Sequence, residues 1–236
     1  MTDISGSIVL VTGANGGLGI EFVRQALELG AAKVYATART PKDWGDDRIV
    51  GVVLDVTDEA SVAAAAELAS DATIVVNNAG IGGGAPIATG AMSDIRSIME
   101  TNFFGALNVA RAFAPVLGRN GGGALVDVHS LLSWLGVAGA YSASKAAFWS
   151  ATNSLRLELA PQGTHVMGLH LGYTDTPMTT DVTAPKNDPA DVVRQAYAGL
   201  LANEYEVLAD EGSAQVKQGL AAPIEALYPQ LAAARV

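Results

Sequence analysis

The segment SIVLVTGANGGLGIEFVRQALELG (residues 7–30) predicts how the fold begins. Its apolar run SIVLVT (7–12) is rich in β-branched residues, as expected of a buried strand. The glycine-rich TGANGGLG (12–19) follows directly, and the amphipathic run 17–30 predicts a helix that ends at Gly30. A strand, a glycine-rich turn and a helix in immediate succession are typical of a dinucleotide-binding turn. There the unpaired N–H groups and the positive dipole end of the helix face a pyrophosphate.

The glycines of this turn have distinct predicted roles. Gly13 permits a tight turn, while Gly17 and Gly19 allow the backbone and the helix to approach closely. Their spacing is G-x-x-x-G-x-G, which differs from the G-x-G-x-x-G of many dinucleotide-binding turns. The alternative interpretation is a glycine-rich turn that binds no ligand.

Strand-like and helix-like segments continue to alternate along the chain. We predict strands over 33–38, 49–56, 73–78, 123–130, 164–172 and 205–210, and helices over 58–70, about 92–117, 139–161 and 189–202. Strands that are apolar on both faces belong in a parallel sheet that is covered by helices. The sequence therefore predicts an α/β fold. We expect a single-domain Rossmann fold over residues 1–236, a doubly wound parallel sheet with helices on both faces.

Composition excludes several classes of function. The chain has 236 residues, of which 50% are hydrophobic and 16% are charged, so it can bury a substantial core. The formal net charge is −10 and Lys and Arg do not cluster, so we expect no nucleic-acid partner. The chain has no cysteine, which excludes disulfides, thiolate metal sites and cysteine nucleophiles.

The sequence favours a cytoplasmic protein that has neither a membrane partner nor a metal. Residues 1–6 lack the basic region of a signal peptide, and no uncharged stretch reads as a membrane span. His165 and His170 are five residues apart on a predicted strand, so they face opposite sides of the sheet. Neither they nor His129 share a ligand spacing with carboxylates, and we expect packed or hydrogen-bonded histidines.

A second motif lies in the stretch GAYSASKAAFWSATNSLRLELAP (139–161). Tyr141 and Lys145 are four residues apart, so they lie on one face of the predicted helix. The ordinary explanation is an exposed Tyr/Lys pair on a solvated face. A neighbouring ammonium also lowers the pKa of a phenol from about 10, which would make the phenol useful for proton transfer near neutral pH.

Five features taken together resemble the short-chain dehydrogenase/reductase family, and they occur in the family's order over roughly residues 5–180. They are TGANGGLG (12–19), NNAG (77–80), Asn102, Ser130 and YSASK (141–145). The resemblance implies a carbonyl reductase or alcohol dehydrogenase. Such an enzyme transfers a hydride between NADP(H) and a ketone, an aldehyde or a secondary alcohol.

The resemblance also implies catalytic roles for individual residues. Tyr141 would be the general acid and base, and Lys145 would assist it and contact the nicotinamide ribose. Ser130 would bind the substrate oxygen. It precedes Tyr141 by 11 residues, which is a shorter gap than is usual in the family, so Ser133 is the alternative for this role. Asn102 would help to hold a water in a proton relay, the alternative being a polar residue that is tolerated on a helix face.

Further residues are implied to bind the cofactor. Asp55, at the end of the third strand, would contact the adenine ring. The structural alternative is that Asp55 caps the next helix, although Thr57 and Asp58 are better placed for that. In LGYTDTPM (171–178), Leu171 replaces the proline that is usual in the family, but Gly172 is present. The full predicted set is Gly13, Asn15, Gly17, Leu18, Gly19, Arg39, Asp55, Val56, Asn78, Gly80, Tyr141, Lys145, Gly172, Thr174 and Thr176.

The end of the second strand bears on the choice of cofactor. NAD-binding relatives tend to have an acidic residue there, whereas this chain has Ala38 followed by Arg39. A guanidinium can bind a 2′-phosphate, so NADPH is favoured and NAD is the alternative. Arg39 could also be an ordinary solvated loop residue.

Two other functions fit these residues less well. A sugar-nucleotide epimerase or dehydratase would need a larger C-terminal domain, and a non-catalytic NADP-binding regulator would not need the Asn, Ser, Tyr and Lys set. We expect a small-molecule carbonyl or alcohol substrate, fairly apolar, under a substrate loop at about 175–190. The resemblance implies a homodimer or homotetramer that forms through the helices containing Asn102 and Tyr141.

Overall fold

The computed structural model of the chain describes residues 3–233. Its strands are β1 (Ile8–Val11), β2 (Lys33–Ala38), β3 (Ile49–Val53), β4 (Ile74–Asn77), β5 (Ala124–Val128), β6 (His165–His170) and β7 (Glu206–Leu208). Within the described residues these strands form one sheet in the order β3-β2-β1-β4-β5-β6-β7, and every neighbouring pair is parallel. The predicted doubly wound parallel sheet is confirmed.

The helices are α1 (Leu18–Glu28), α2 (Glu59–Leu68), α3 (Met92–Met99), α4 (Ala106–Arg119), α5 (Ala140–Leu159), α6 (Pro189–Leu201), α7 (Glu211–Gly219), α8 (Ile224–Leu227) and α9 (Gln230–Ala233). A π-helical segment, Glu100–Gly105, joins α3 to α4, so the helix predicted at about 92–117 is present but is locally widened. The sequence did not predict α7, α8 or α9.

The chain changes direction across the sheet at β1. The path runs outward from β1 through β2 to β3, then returns to β4 on the other side of β1. Val11 of β1 pairs with Ala36 of β2 and with Val76 of β4. A crevice opens at the carboxyl ends of the strands where the order reverses, and this is where open α/β sheets bind their ligands.

Two apolar layers cover the sheet, one on each face. On one face α1 packs against α6, where the rings of Phe22 and Tyr197 lie 5.6 Å apart and the Tyr197 hydroxyl donates to the Phe22 carbonyl at 2.8 Å. On the other face α2, α4 and α5 bury Phe113, Leu117 and Leu155 against the strands. This burial is the main favourable contribution to folding, and it fixes the strand ends that carry the site.

No helix within residues 3–233 has the length and apolar character needed to cross a membrane.

Candidate active site

A cavity of about 810 Å³ opens at the carboxyl ends of β1, β4, β5 and β6. Its walls are the glycine-rich turn, the segment 78–84, the turn after β5, the start of α5 and the segment after β6. Of the predicted residues it brings together Gly13, Gly17, Leu18, Asn78, Gly80, Ser130, Tyr141, Lys145, Gly172, Thr174 and Thr176. Outside its lining lie Asn15, Gly19, Arg39, Asp55, Val56 and Asn102.

The glycine-rich turn is packed too closely for side chains. Gly13 and Gly17 have φ angles of +65° and +52°, which favour glycine. A Cβ on Gly13 would lie 3.0 Å from the Ala79 Cα, and a Cβ on Gly19 would lie 2.2 Å from the Gly13 carbonyl oxygen. Among residues 3–233 no side chain caps α1, and Gly17 and Leu18 line the cavity. This cradle fits the pyrophosphate of a dinucleotide, because its glycines bring the backbone and the positive end of the α1 dipole to the cavity without intervening side chains.

Thr12 and Asn78 hold the glycine-rich turn against the segment after β4. The Thr12 hydroxyl oxygen accepts from the N–H groups of Asn78 and Ala79, both at 2.9 Å. The Asn78 side-chain amide donates to the Thr12 carbonyl at 2.8 Å. Asn78 therefore lines the cavity while its amide nitrogen braces the turn. Thr12 was not among the predicted site residues, and its only signal in the sequence is a hydroxyl at the end of an apolar strand.

Asn102 is buried in the π-helical segment, and it bonds to the backbone of a neighbouring segment. Its Oδ1 accepts from the Ile81 N–H at 2.8 Å, and its Nδ2 donates to the Ile81 carbonyl at 3.0 Å and to the Ser144 hydroxyl at 3.2 Å. The amide thus pairs with Ile81 as a neighbouring strand would, and holds one wall of the cavity. This accounts for a polar residue inside a helix. The water relay stays a prediction.

Lys145 is buried and bonds to the end of β5. Its Nζ donates to the Val128 carbonyl at 2.8 Å. Burial lowers the pKa of Lys145 to about 8, against the opposing effect of the Asp127 carboxylate. The ammonium is therefore held at the floor of the cavity by a backbone acceptor.

The expected lowering of the Tyr141 pKa by Lys145 is absent. Burial raises the pKa of Tyr141 above its ordinary value, and a hydrogen bond with the Ser130 side chain opposes this only in part. The Lys145 Nζ lies 5.9 Å from the centre of the Tyr141 ring and is bonded to the Val128 carbonyl instead. Because burial dominates, the phenol keeps its proton at neutral pH, as a proton donor must.

The geometry favours Ser130 over Ser133 as the substrate-binding serine. Ser130 follows β5, lines the cavity and acts on the pKa of Tyr141. Its Oγ accepts from the Leu132 N–H at 3.1 Å, so its own hydrogen can be donated to the Tyr141 oxygen or to a substrate oxygen. Ser133 is buried outside the cavity lining, and its hydroxyl has no hydrogen-bond partner among the described residues. The short gap to Tyr141 is accommodated by a 3-10 turn, Leu131–Ser133.

Arg39 lies beside the glycine-rich turn, at the exposed end of β2. Within residues 3–233 its guanidinium makes no hydrogen bond or ion pair in this structure. The Asn15 side chain donates to the Thr40 carbonyl at 2.6 Å, which ties the turn to the loop that carries Arg39. A group bound at the turn and extending toward β2 would thus meet an unpaired positive charge.

Asp55 and Val56 have structural contacts away from the cavity. The Asp55 Oδ1 accepts from the Thr57 N–H and hydroxyl at 3.0 and 2.7 Å, and these bonds lower the pKa of Asp55, with a smaller contribution from the charge of Arg39. Asp58, not Asp55, caps α2 by accepting from the Ala60 N–H at 3.0 Å. Val56 is buried against the π-helical segment. Contact of Asp55 and Val56 with a cofactor stays a prediction.

The segment after β6 is anchored by Asp210, which was not among the predicted site residues. The Asp210 Oδ2 accepts from the Gly172 N–H at 2.6 Å and from the Asn187 side chain at 3.0 Å. One carboxylate thus holds both the backbone just before the predicted substrate loop and a side chain near the end of that loop. Its Oδ1 accepts from the Ser213 N–H at 2.7 Å and caps α7. Thr174 lies at the base of the same loop and bonds to the Gly172 carbonyl at 3.3 Å.

The three histidines are packed or hydrogen-bonded. A ring nitrogen of His165 lies 2.9 Å from the Glu204 carbonyl oxygen. His170 is fully buried, with its ring centre 4.9 Å from that of His129. In the part of the chain that the structure describes, no group of three or more His, Cys, Asp or Glu side chains could hold a metal ion.

Comparison with known proteins identifies the family. The family model for short chain dehydrogenase matches residues 7–187. A short chain dehydrogenase from Burkholderia cenocepacia, solved in complex with NADP, has a TM-score of 0.91 and 38% identity, covering 98% of this chain and 99% of that one. The ketoacyl reductase HetN of Nostoc sp. is 29% identical, covering 89% of this chain and 81% of its own. The 3-ketodihydrosphingosine reductase of Bacteroides thetaiotaomicron is 31% identical, covering 78% and 72%. The chain belongs to the short-chain dehydrogenase family, and it is an oxidoreductase of that family.

Proposed function

We propose that the chain is an NADP(H)-dependent oxidoreductase that interconverts a ketone or aldehyde and an alcohol, with Tyr141 as the general acid and base. The observation that carries this proposal is that Ser130, Tyr141 and Lys145 line the same cavity as the glycine-rich cradle. The NADP complex of the Burkholderia protein and the keto groups in the names of the two reductases support it.

Bound NADPH supplies the hydride in this proposal. The cradle at Gly13 and Gly17 would hold its pyrophosphate, while Lys145, Thr174 and Thr176 would hold the nicotinamide end. The chain's own residues then manage the proton and the developing charge. The Ser130 hydroxyl donates to the carbonyl oxygen of the substrate, and Tyr141, whose raised pKa keeps it protonated, transfers a proton to the same oxygen.

The cavity wall favours an apolar substrate. Of the described residues that line the cavity, only Lys145 carries a formal charge, and the proposed chemistry already uses it. The remaining wall around the Ser130 turn and the substrate loop is mostly aliphatic, with Leu131, Leu135, Val137 and Met178. Burying a carboxylate or a phosphate against this surface without a charged partner would be costly. We therefore propose a ketone with an apolar chain, such as an acyl chain, as the substrate class.

The test is NADPH consumption over a matched panel of ketones. Pairs should share the same keto group and chain length and differ only in whether the far end is a methyl group or a carboxylate. We expect the methyl-ended members to be reduced with the higher kcat/KM. If the carboxylate-ended members are better, the proposed substrate class is wrong. If no member of the panel consumes NADPH although NADPH binds, the alternative of a non-catalytic NADP-binding regulator is favoured.

We further propose a homodimer or homotetramer in the cytoplasm. The helical stretch that contains Asn102 and the helix α5 that contains Tyr141 both present large apolar side chains to solvent. Phe104 is 47% exposed and Leu157 is 79% exposed. Single apolar residues on a surface are common, so a solution molar mass is needed to test this assembly.

Arg39 should determine the preference for NADPH over NADH. A charge-assisted hydrogen bond contributes about 1.5–3 kcal/mol, which corresponds to a roughly ten- to hundredfold difference in binding. Arg39→Ala should therefore raise the KM for NADPH by that factor and change the KM for NADH little. Ala38→Asp should shift the preference further toward NADH, because a carboxylate accepts from a ribose hydroxyl and repels a 2′-phosphate.

The matched control is Arg119→Ala, which removes an exposed arginine at the end of α4 and should change neither KM. Equal use of NADH and NADPH by the unmodified chain would show that this interpretation of Arg39 is wrong. The same holds if Arg39→Ala leaves the ratio of the two KM values unchanged.

A further inference from the structure

Three aromatic rings are stacked beneath the turn that carries Ser130. The ring centres of His129 and His170 lie 4.9 Å apart at 29°, and those of His170 and Trp134 lie 4.1 Å apart at 16°. His170 is the central ring, it is fully buried, and it is not part of the cavity lining. The mechanism proposed above assigns it no role. A buried imidazole at the end of β6 therefore requires its own explanation, because burying a polar ring has a cost that an apolar ring would avoid.

His170 contacts both ends of the turn after β5. Its Nδ1 lies 3.3 Å from the Ser130 carbonyl oxygen, at the start of the turn, and its ring face supports Trp134, which directly follows the turn. A carbonyl oxygen can only accept, so this contact is a hydrogen bond in the tautomer whose proton is on Nδ1. The same carbonyl accepts from the Ser133 N–H at 3.0 Å, so two donors meet at one acceptor.

The outer side of this arrangement is braced by an ion pair. Glu206 of β7 accepts from Lys217 Nζ at 2.7 Å and from the Trp149 ring nitrogen at 2.9 Å. The Lys217 Nζ also lies 4.9 Å from the centre of the Trp134 ring, within the range of a cation–π interaction. The Glu206 Oε1 lies 3.7 Å from the His170 Nε2. Trp134 is thus held by the buried imidazole and by the ammonium of α7.

We propose that His170 is a positioning residue for the reaction: its Nδ1–H fixes the turn 131–133, and thereby the direction of the Ser130 hydroxyl. The inference rests on the proposed role of Ser130 in binding the substrate oxygen. Ser130 lies at the start of this turn, and its Oγ is oriented by the Leu132 N–H within it, so a shift of the turn moves the hydroxyl. Small displacements of positioned groups reduce rates strongly, by roughly a hundredfold for 1 Å.

Three substitutions separate the hydrogen bond from the packing. His170→Phe keeps a ring for stacking but has no donor, and His170→Asn keeps a donor close to the position of Nδ1 without the ring. His170→Gln is polar and similar in volume to histidine, but its amide extends toward the Nε2 position. We expect kcat to fall about tenfold or more in the Phe and Gln variants and less than about threefold in the Asn variant. NADPH affinity, measured by direct binding, should stay unchanged in all three.

His165→Phe is the matched control, because it removes a histidine from the same strand at a partly exposed position away from the cavity. It should leave kcat unchanged. The positioning role is overturned if the Phe variant turns over like the unmodified chain, or if the Asn variant is as slow as the Gln variant. The melting temperature of each variant shows whether a lower kcat comes only from lower stability. If both the Asn and the Gln variant lose activity for that reason, the positioning role of His170 is also overturned.

A double-mutant cycle with Ser130→Ala separates this inference from the proposed function. If His170 acts through Ser130, His170→Gln should lower kcat about tenfold in the unmodified chain and less than about twofold when Ser130 is already Ala. Full additivity of the two losses contradicts the positioning role while leaving the role of Ser130 intact. If Ser130→Ala alone has no effect on kcat, the proposed role of Ser130 itself is wrong.

Discussion

Tyr141→Phe should lower kcat for ketone reduction by about 10²–10⁴-fold, the usual contribution of a positioned general acid or base. The hydroxyl is the group that would protonate the substrate oxygen, and burial keeps its proton in place at neutral pH by raising the pKa of Tyr141. The Phe ring fills nearly the same volume on α5. The free energy of unfolding and the affinity for NADPH should therefore change little.

Single-turnover kinetics at saturating NADPH, together with direct binding of NADPH, measure the two effects separately. Tyr205→Phe is the matched control, because Tyr205 is 64% exposed and lies outside the cavity, and it should retain full activity. Turnover by the Tyr141→Phe variant within tenfold of the unmodified chain would remove Tyr141 from the acid and base role.

Ser130→Ala should lower kcat by about 10²–10³-fold, and Ser133→Ala should lower it much less. A donor aimed at a developing oxyanion typically contributes a factor of this size. Ser130 lines the cavity with its Oγ held by the Leu132 N–H, whereas Ser133 is buried outside the lining. The two variants remove the same hydroxyl group from positions three residues apart, so each is the control for the other.

Steady-state kcat and KM with one apolar ketone, and the melting temperature of each variant, decide between the two serines. Ser133→Ala has the larger effect only if the turn 131–133 presents Ser133 to the substrate during the reaction. That order of effects would contradict the assignment of Ser130.

Much of the fold could be predicted from the sequence, because local sequence patterns determine where its strands and helices lie. Buried parallel strands such as β1 and β4 are apolar on both faces, and Asp58 marks the start of α2 as a side-chain cap. The helix α7 could not be predicted in the same way. Its sequence, EGSAQVKQG, has almost no apolar residues, and it forms where Asp210 caps it next to the loop after β6. Asp210 directly precedes α7, but the Gly172 N–H and the Asn187 side chain that hold its carboxylate lie 38 and 23 residues away in the sequence.

The site was predicted where its chemistry is local and missed where it depends on contacts across the fold. The glycine-rich turn and the Tyr141/Lys145 pair are short motifs on single elements. The bond of Asn102 to Ile81 and the bonds of Asp210 to Gly172 and Asn187 join segments that only the folded sheet brings together. The same reason explains the error in the pKa of Tyr141. Spacing on a helix gives the distance to Lys145 but neither the burial of the phenol nor the competing carbonyl acceptor.

The central claim is that the cavity transfers a hydride from NADPH to the carbon of a carbonyl group. NADPH that carries deuterium on the transferable position of the nicotinamide ring, incubated with the unmodified chain and an apolar ketone, tests it directly by mass spectrometry. We expect an alcohol with one deuterium on its carbinol carbon, formed in equal amount to the NADP⁺ released. NADPH binding without deuterium transfer to any ketone or aldehyde tested would contradict it.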